Sequence, residues 1–180
     1  MRLTLVCLLL AVGLAAKLYD LNSSPVTELT KKNFAKRVTT QRNDEVSVVH
    51  FHQVYDDFSE SSIKADFEAL GAAVKGFVFV GAVSCDDEPD ICSKEGITEY
   101  PVVRVYPKNP MPVVDFSPEN FDIGKVRKAA TRDIENKAVE ITQNNLDTFL
   151  KDAPTKPKVL FFTDKEKAVP LTVRALSKNF

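Results

Sequence analysis

Two apolar runs, residues 46–53 and 77–83, dominate the polarity pattern of the chain. Val46, Val48, Val49 and Phe51 in the first, and Phe77, Val78, Phe79 and Val80 in the second, leave little polar alternation. Such runs predict strands buried on both faces. Between them Ile63, Phe67 and Leu70 recur at helical spacing, with Ser59 and Ser61 as candidate N-caps and Gly71 and Gly76 bracketing the helix end. Upstream, Val26 and Leu29 flank a short strand, and Thr30 is placed to cap a helix showing Phe34 and Val38 on one face. Downstream, an acidic loop from Ser84 leads into a short helix with Pro89 in its first turn and Gly96 as its stop. A strand over 102–106 follows, and Pro107 and Pro110 punctuate a hairpin to 111–116. An amphipathic helix carrying Phe121, Ile123, Val126 and Ala130 closes the unit near Arg132. The order βαβαβαββα predicts an α/β fold: a mixed central sheet flanked by helices.

From Ile134 the pattern restarts. Residues 139–146 echo 26–34, residues 158–163 echo the central strand, and 169–180 read as the helix after it. So short a unit cannot bury a sheet face alone. The expectation is therefore a fragment of a longer protein, or a partial unit that packs on something else. At the other end, Arg2 precedes an apolar block over 3–14 that lacks a polar face and is too short to span a bilayer, followed by Ala15 and Ala16. This predicts a cleaved secretory signal over 1–16, a folded domain over 17–133 and an incomplete second unit over 134–180. No membrane span is expected after cleavage.

Composition narrows the function classes. A net charge of −1 over 180 residues carries no basic footprint for nucleic acid. Of three cysteines, Cys7 would leave with the signal, and the even pair Cys85 and Cys92 in an oxidising lumen is expected to form a disulfide. Asn22-Ser23-Ser24 is a glycosylation sequon, weakened by Pro25 immediately after it.

Three local patterns then coincide. Val26-x-x-Leu29-Thr30-x-x-Asn33-Phe34 opens the domain. Val83-Ser84-Cys85-Asp86 ends one strand, and Gly96-Ile97-Thr98-Glu99-Tyr100-Pro101-Val102-Val103-Arg104-Val105-Tyr106 enters the next. Together they resemble a thioredoxin-fold domain of the protein disulfide isomerase family over roughly 18–132. The segment beyond resembles the start of a following thioredoxin-like domain.

The resemblance implies a Cys-x-x-Cys motif after the central strand. Counted without gaps from Phe51, its cysteines fall at Asp56 and Ser59; counted back from Phe67 they shift by one residue, and neither register supplies a thiol. The buried acid expected in the central strand is replaced by His50, and the Trp before the motif by Tyr55. The Gly and Arg often found after the last strand are not evident in residues 116–120. Thiol–disulfide exchange needs an attacking thiolate and a resolving thiol, so this turn is expected to be catalytically empty. The resemblance further makes Pro101 a cis-proline beside the turn, exposing backbone groups to an extended peptide. Tyr55, Phe58 and Tyr100 would add apolar contact there; the alternative is that Pro101 shapes a turn and the aromatics are core. It also implies a structural role for a Cys85–Cys92 bridge.

Other constellations are weaker. His50 and His52 share one strand face without a visible third metal ligand. His50 reads either as a satisfied core histidine or as a semi-buried group titrating in the lumen. Asp56, Asp57, Glu60 and residues 86–90 match no calcium loop and read as solvated acidic surface. No metal and no cofactor is expected. The resulting expectation is a redox-inactive, protein disulfide isomerase-like protein of the endoplasmic reticulum that binds unfolded or client polypeptides, with other lumenal folding factors as further candidate partners. The alternatives are a fragment of a multidomain isomerase with its Cys-x-x-Cys beyond residue 180, and a structural subunit of a lumenal complex. The terminal Lys178-Asn179-Phe180 is no lumenal retrieval signal.

Overall fold

The computed structural model describes residues 17–20, 22–164 and 169–177. The expected signal segment with Cys7, and the last three residues, lie outside them. Five strands form one mixed sheet: β1 (Thr27–Glu28), β2 (Val46–His52), β3 (Val78–Ser84), β4 (Val102–Tyr106) and β5 (Val114–Phe116), in the spatial order β1-β3-β2-β4-β5. β1, β3 and β2 run parallel, while β4 and β5 are antiparallel to their neighbours. This is the thioredoxin-type α/β arrangement that the resemblance implied.

The two apolar runs are β2 and β3, and every residue of β2 is buried. Alternation sorts their side chains to two cores. Val46, Val48, Val78, Val80, Ala82, Val103 and Val105 face α1 (Lys64–Ala73) and α3 (Ile123–Thr131). Val49, Phe51, Phe79, Val83, Val102 and Tyr106 face the other way, toward Phe34, Val38 and α2 (Pro89–Lys94). A sheet covered on both faces has no use for polar alternation, which is why these strands read as continuous apolar runs.

Several local expectations are corrected. The segment after β1 is a π-helical turn, Ala35–Thr39, running into a 3-10 turn, Thr40–Asn43, rather than a regular α-helix. Its start does use Thr30: the hydroxyl accepts from Lys32 N–H at 3.3 Å, and Asn33 Oδ1 accepts from Thr30 N–H at 2.8 Å. The helix after β2 is capped by neither Ser59 nor Ser61. Asp56 Oδ1 accepts from the Phe58 and Ser59 N–H groups at 3.1 and 3.2 Å, because a short carboxylate is the better acceptor at that position. Ser59 lies inside the first turn, and Ser61 donates back to the Asp57 carbonyl. Tyr19, in an otherwise polar stretch, is buried in the helix-facing core.

Beyond α3, the described residues contain α4 (Leu146–Lys151) and α5 (Leu171–Ser177) but no strand. Residues 158–163 are not paired as a strand, contrary to their apolar pattern, and Val159, Leu160, Phe161 and Phe162 are exposed. A strand needs a neighbouring strand for its backbone groups, and none pairs with this segment among the described residues.

Candidate functional site

The turn between β2 and its helix sits where the parallel strands end. The register Phe51↔Val102 brings Pro101 level with His52 at that same end of the sheet. The Tyr100–Pro101 peptide bond is cis. Two strand ends, a helix start and the Pro101 segment therefore meet at one corner.

The interior of this corner is a polar chain. Tyr19 Oη lies 2.7 Å from His50 Nδ1, His50 Nε2 lies 3.0 Å from Ser59 Oγ, and Ser59 Oγ lies 2.8 Å from Asp56 Oδ2. Elementary valence fixes the protons. Burial raises the Tyr19 phenol, with Glu68 and Glu60 adding to the effect, so it stays protonated and donates to Nδ1. Burial, and then the neighbouring His52, hold His50 well below its ordinary range, so the ring is neutral. With Nδ1 accepting, Nε2 carries the remaining hydrogen and donates to Ser59 Oγ, whose own O–H is free to donate to the Asp56 carboxylate. All four groups are satisfied, and the chain ends on the one member near solvent.

This geometry decides between the two readings of His50: it is a satisfied core histidine, fully buried. It also sets a histidine beside the Ser59 hydroxyl. The ring donates to Ser59 rather than accepting from it, and Ser59 is fully buried. The triad-like set is not poised for nucleophilic attack. Residues 56–59 contain no thiol, and the two described cysteines are bonded to one another.

That bond, Cys85–Cys92, joins the end of β3 to α2 across a Cα–Cα distance of 5.8 Å. The loop it closes is tied to the turn twice. Cys85 N–H donates to the His52 carbonyl at 2.8 Å, and Asp86 Oδ2 accepts from Val54 N–H at 2.6 Å. Asp56 and Asp86, both in the expected acidic surface, thus make structural bonds. His52 is nearly buried beside the turn, its ring 5.3 Å from that of His50. Burial lowers its pKa, while the Gln53 carbonyl and Asp56, Asp86 and Asp87 oppose the shift.

The expected peptide-contacting residues are not gathered into one patch. Tyr55 stands 93 % exposed at the tip of the turn, with φ 63°. Phe58 is half-buried and packs edge-on to Phe121, on the α3 side of the sheet. Tyr100 leans on the opposite core, near α2, and Pro101 is buried. Asn22 of the sequon is exposed. Among the described residues no group of three or more His, Cys, Asp and Glu side chains is arranged to hold a metal ion.

Two polar features escaped the sequence reading. Tyr19 was one; an aromatic inside a polar stretch was the only sign of it. The other is Arg104 on β4. It forms a two-pronged pair with Asp115 at 2.6 and 2.8 Å and donates to the Glu95 carbonyl at 2.5 Å. Tyr106 Oη donates to Glu95 Oε2 at 2.8 Å, beside it. An arginine within an otherwise apolar strand was the available signal.

No family model matches the chain. A Dictyostelium discoideum protein named as a protein disulfide-isomerase is 28 % identical over 164 residues, which span 88 % of this chain and 39 % of that relative. Protein disulfide isomerase-like 2-2 of Oryza sativa subsp. japonica is 32 % identical over 85 residues, 46 % of this chain and 22 % of the relative. Among solved structures, ERdj5 form II superposes with a TM-score of 0.56 at 23 % identity, covering 71 % of this chain and 17 % of that one; this likeness bears on the fold alone. The chain thus spans well under half the length of these relatives.

Proposed function

We propose that this chain, a thioredoxin-fold relative of the protein disulfide isomerases, binds unfolded or client polypeptides in the secretory pathway without exchanging disulfides. The observation that carries the reading is the buried bond from His50 Nε2 to Ser59 Oγ, at the positions where the family resemblance puts a proton acceptor and a resolving thiol. The corner keeps the fold that the resemblance implies and holds no sulfur. What it still offers is an exposed aromatic, Tyr55, above a turn braced by Asp56 and Asp86. Such a rim suits contact with extended, partly apolar chains, whose main-chain groups give affinity with loose sequence preference. Residence in the endoplasmic reticulum, a cleaved leader and chaperone activity belong to the same proposal. They are supported by the kinds of protein to which the chain is similar.

The test is light scattering from a reduced, aggregating client, run beside an insulin-reduction assay. Suppression of aggregation at stoichiometric protein with no insulin reduction is the expected result. Absence of suppression, or reduction through this chain, overturns the proposal.

A second reading is favoured by the shares of length matched, 39 % and 22 % of two relatives. In it the unit is a non-exchanging module within a longer disulfide isomerase whose exchange chemistry lies elsewhere. Sequencing the transcript beyond Phe180 separates the two.

A further inference from the structure

The sheet has an incomplete edge at the end opposite the turn. β1 pairs with β3 only at Thr27↔Gly81 and Glu28↔Ala82. Leu29 N–H donates to the Ala82 carbonyl at 2.8 Å, so the even-numbered residues of β3 turn their backbone groups toward β1. Moving back along β3, Val80 and Val78 face the same way, and there the ladder stops. Its cause is in the sequence: Pro25 has no N–H to give, and Val26 N–H turns to Ser24 Oγ at 3.2 Å. Val78 N–H is taken by the Val74 carbonyl at 3.1 Å. Among the described residues, nothing meets the Val80 N–H or the Val78 C=O.

Val78, Phe79 and Val80 line a cleft of about 260 Å³, with Arg37, Glu45 and Lys75 around it. The Arg37 guanidinium carbon lies over the Phe79 ring, 4.4 Å from its centre. Among the described residues the guanidinium has no carboxylate or carbonyl partner. Lys75 adds a second cation and Glu45 one anion, leaving the cleft net positive.

We propose that this cleft takes an extended peptide segment that carries a Glu or Asp side chain. The segment would extend the short β1 position, accepting from Val80 N–H and donating to Val78 C=O, as in strand addition to a sheet edge. Its carboxylate would reach the Arg37 guanidinium, which stacking on Phe79 holds in place, with Lys75 beside it. The site lies about 13–20 Å along β3 from the turn end at Ser84, at ~3.3 Å per residue. It is separate from the proposed client contact at Tyr55 and stands or falls independently.

The test uses the isotopically labelled full chain titrated with a capped peptide, acetyl-Thr-Val-Glu-Val-Thr-Val-amide, followed by amide chemical shifts and hydrogen exchange. The expected result is saturable shifts at the Val78 and Val80 amides and slower exchange at Val80. Replacing Glu by Gln in the peptide, or Arg37→Gln in the chain, should each weaken binding about tenfold, the size of one lost charge-assisted bond. Lys75→Gln, at an exposed position, gives a smaller loss and serves should Arg37→Gln disturb the fold. Equal affinity for the Gln peptide, or shifts centred on Tyr55 and Tyr100, overturns the proposal. So do shifts at the same amides that depend on protein concentration without peptide, which would identify a second copy as the occupant.

Discussion

His50 and Ser59 meet side chain to side chain in the floor of the turn, Nε2 to Oγ at 3.0 Å. Nine residues apart in sequence, they are brought together because β2 and the helix after it fold back over the same core. The contact links a neutral imidazole to a hydroxyl, and the chain of bonds runs on to the Asp56 carboxylate. On the proposed reading, oxygen stands at residues 56 and 59 where an exchanging site would need sulfur.

A double substitution, Asp56→Cys with Ser59→Cys, should therefore create reductase activity in an insulin turbidity assay. Ser59→Cys alone should not, since a single thiol cannot release a mixed disulfide. The double variant loses the Asp56 cap and should be about 1–2 kcal/mol less stable in urea. A correctly folded double variant with no activity would show that Asp56 and Ser59 are not the motif positions.

The two histidines make stability depend on pH in a defined direction. Both are held below their ordinary value of 6.5, chiefly by burial. A group with a depressed folded pKa binds more protons when unfolded, so its contribution is present above the unfolded value and declines as pH falls below about 6.5. Asp56, Asp86 and Asp87 soften this for His52, whereas His50 has no such relief. Urea unfolding should show lower stability at pH 5 than at pH 7.5. The variant His50→Gln should flatten the slope between pH 5 and 6.5, even if it is less stable throughout. An unchanged slope would mean that His50 is not the residue being charged on unfolding.

The pattern of apolar residues was enough to locate β2 and β3, because strands covered on both faces advertise themselves. The network around His50 was not legible, since Tyr19 reaches it from 31 positions away and nothing local marks the contact. Choosing Ser59 or Ser61 as the cap failed for a related reason. Ser, Asp and Asn all suit an N-cap, and only the fold determines which one faces the free N–H groups. The internal echo fared unevenly. Asn33 accepts from Thr30 N–H at 2.8 Å and donates to the Glu28 carbonyl at 3.0 Å; Asn145 does the same with Thr142 and Glu140 at 2.8 and 2.9 Å. A short-range motif repeats faithfully because its partners lie within five residues. The strand expected at 158–163 needs distant neighbours, and those are missing among the described residues.

Gly81 supplies a test of packing between the sheet and the segment before it. A Cβ there would fall 2.7 Å from Leu29 Cδ1 and 2.9 Å from Leu29 Cγ. Leu29 is buried and cannot swing aside. Gly81→Ala should cost about 1–3 kcal/mol in urea unfolding through overpacking. Combined with Leu29→Ala, the loss should be clearly less than additive, since the second change opens the space that the first requires. Strict additivity would show that the two side chains do not compete.

Tyr55 separates function from stability, because the two should move in opposite directions. It is 93 % exposed, so its ring contributes little to the fold, yet its φ of 63° is a conformation that costs a side chain about 1 kcal/mol. Glycine adopts that conformation freely. Tyr55→Gly should raise the unfolding free energy by up to about 1 kcal/mol, with part of the gain offset by the greater freedom of glycine in the unfolded chain. If the turn is a client-binding rim, the same variant should suppress aggregation of a reduced client less well than the parent at equal concentration. Tyr55→Phe, which keeps the ring, should retain suppression. A variant both more stable and equally protective would leave the tyrosine without a role in holding clients, and the binding rim would have to be sought elsewhere on the molecule.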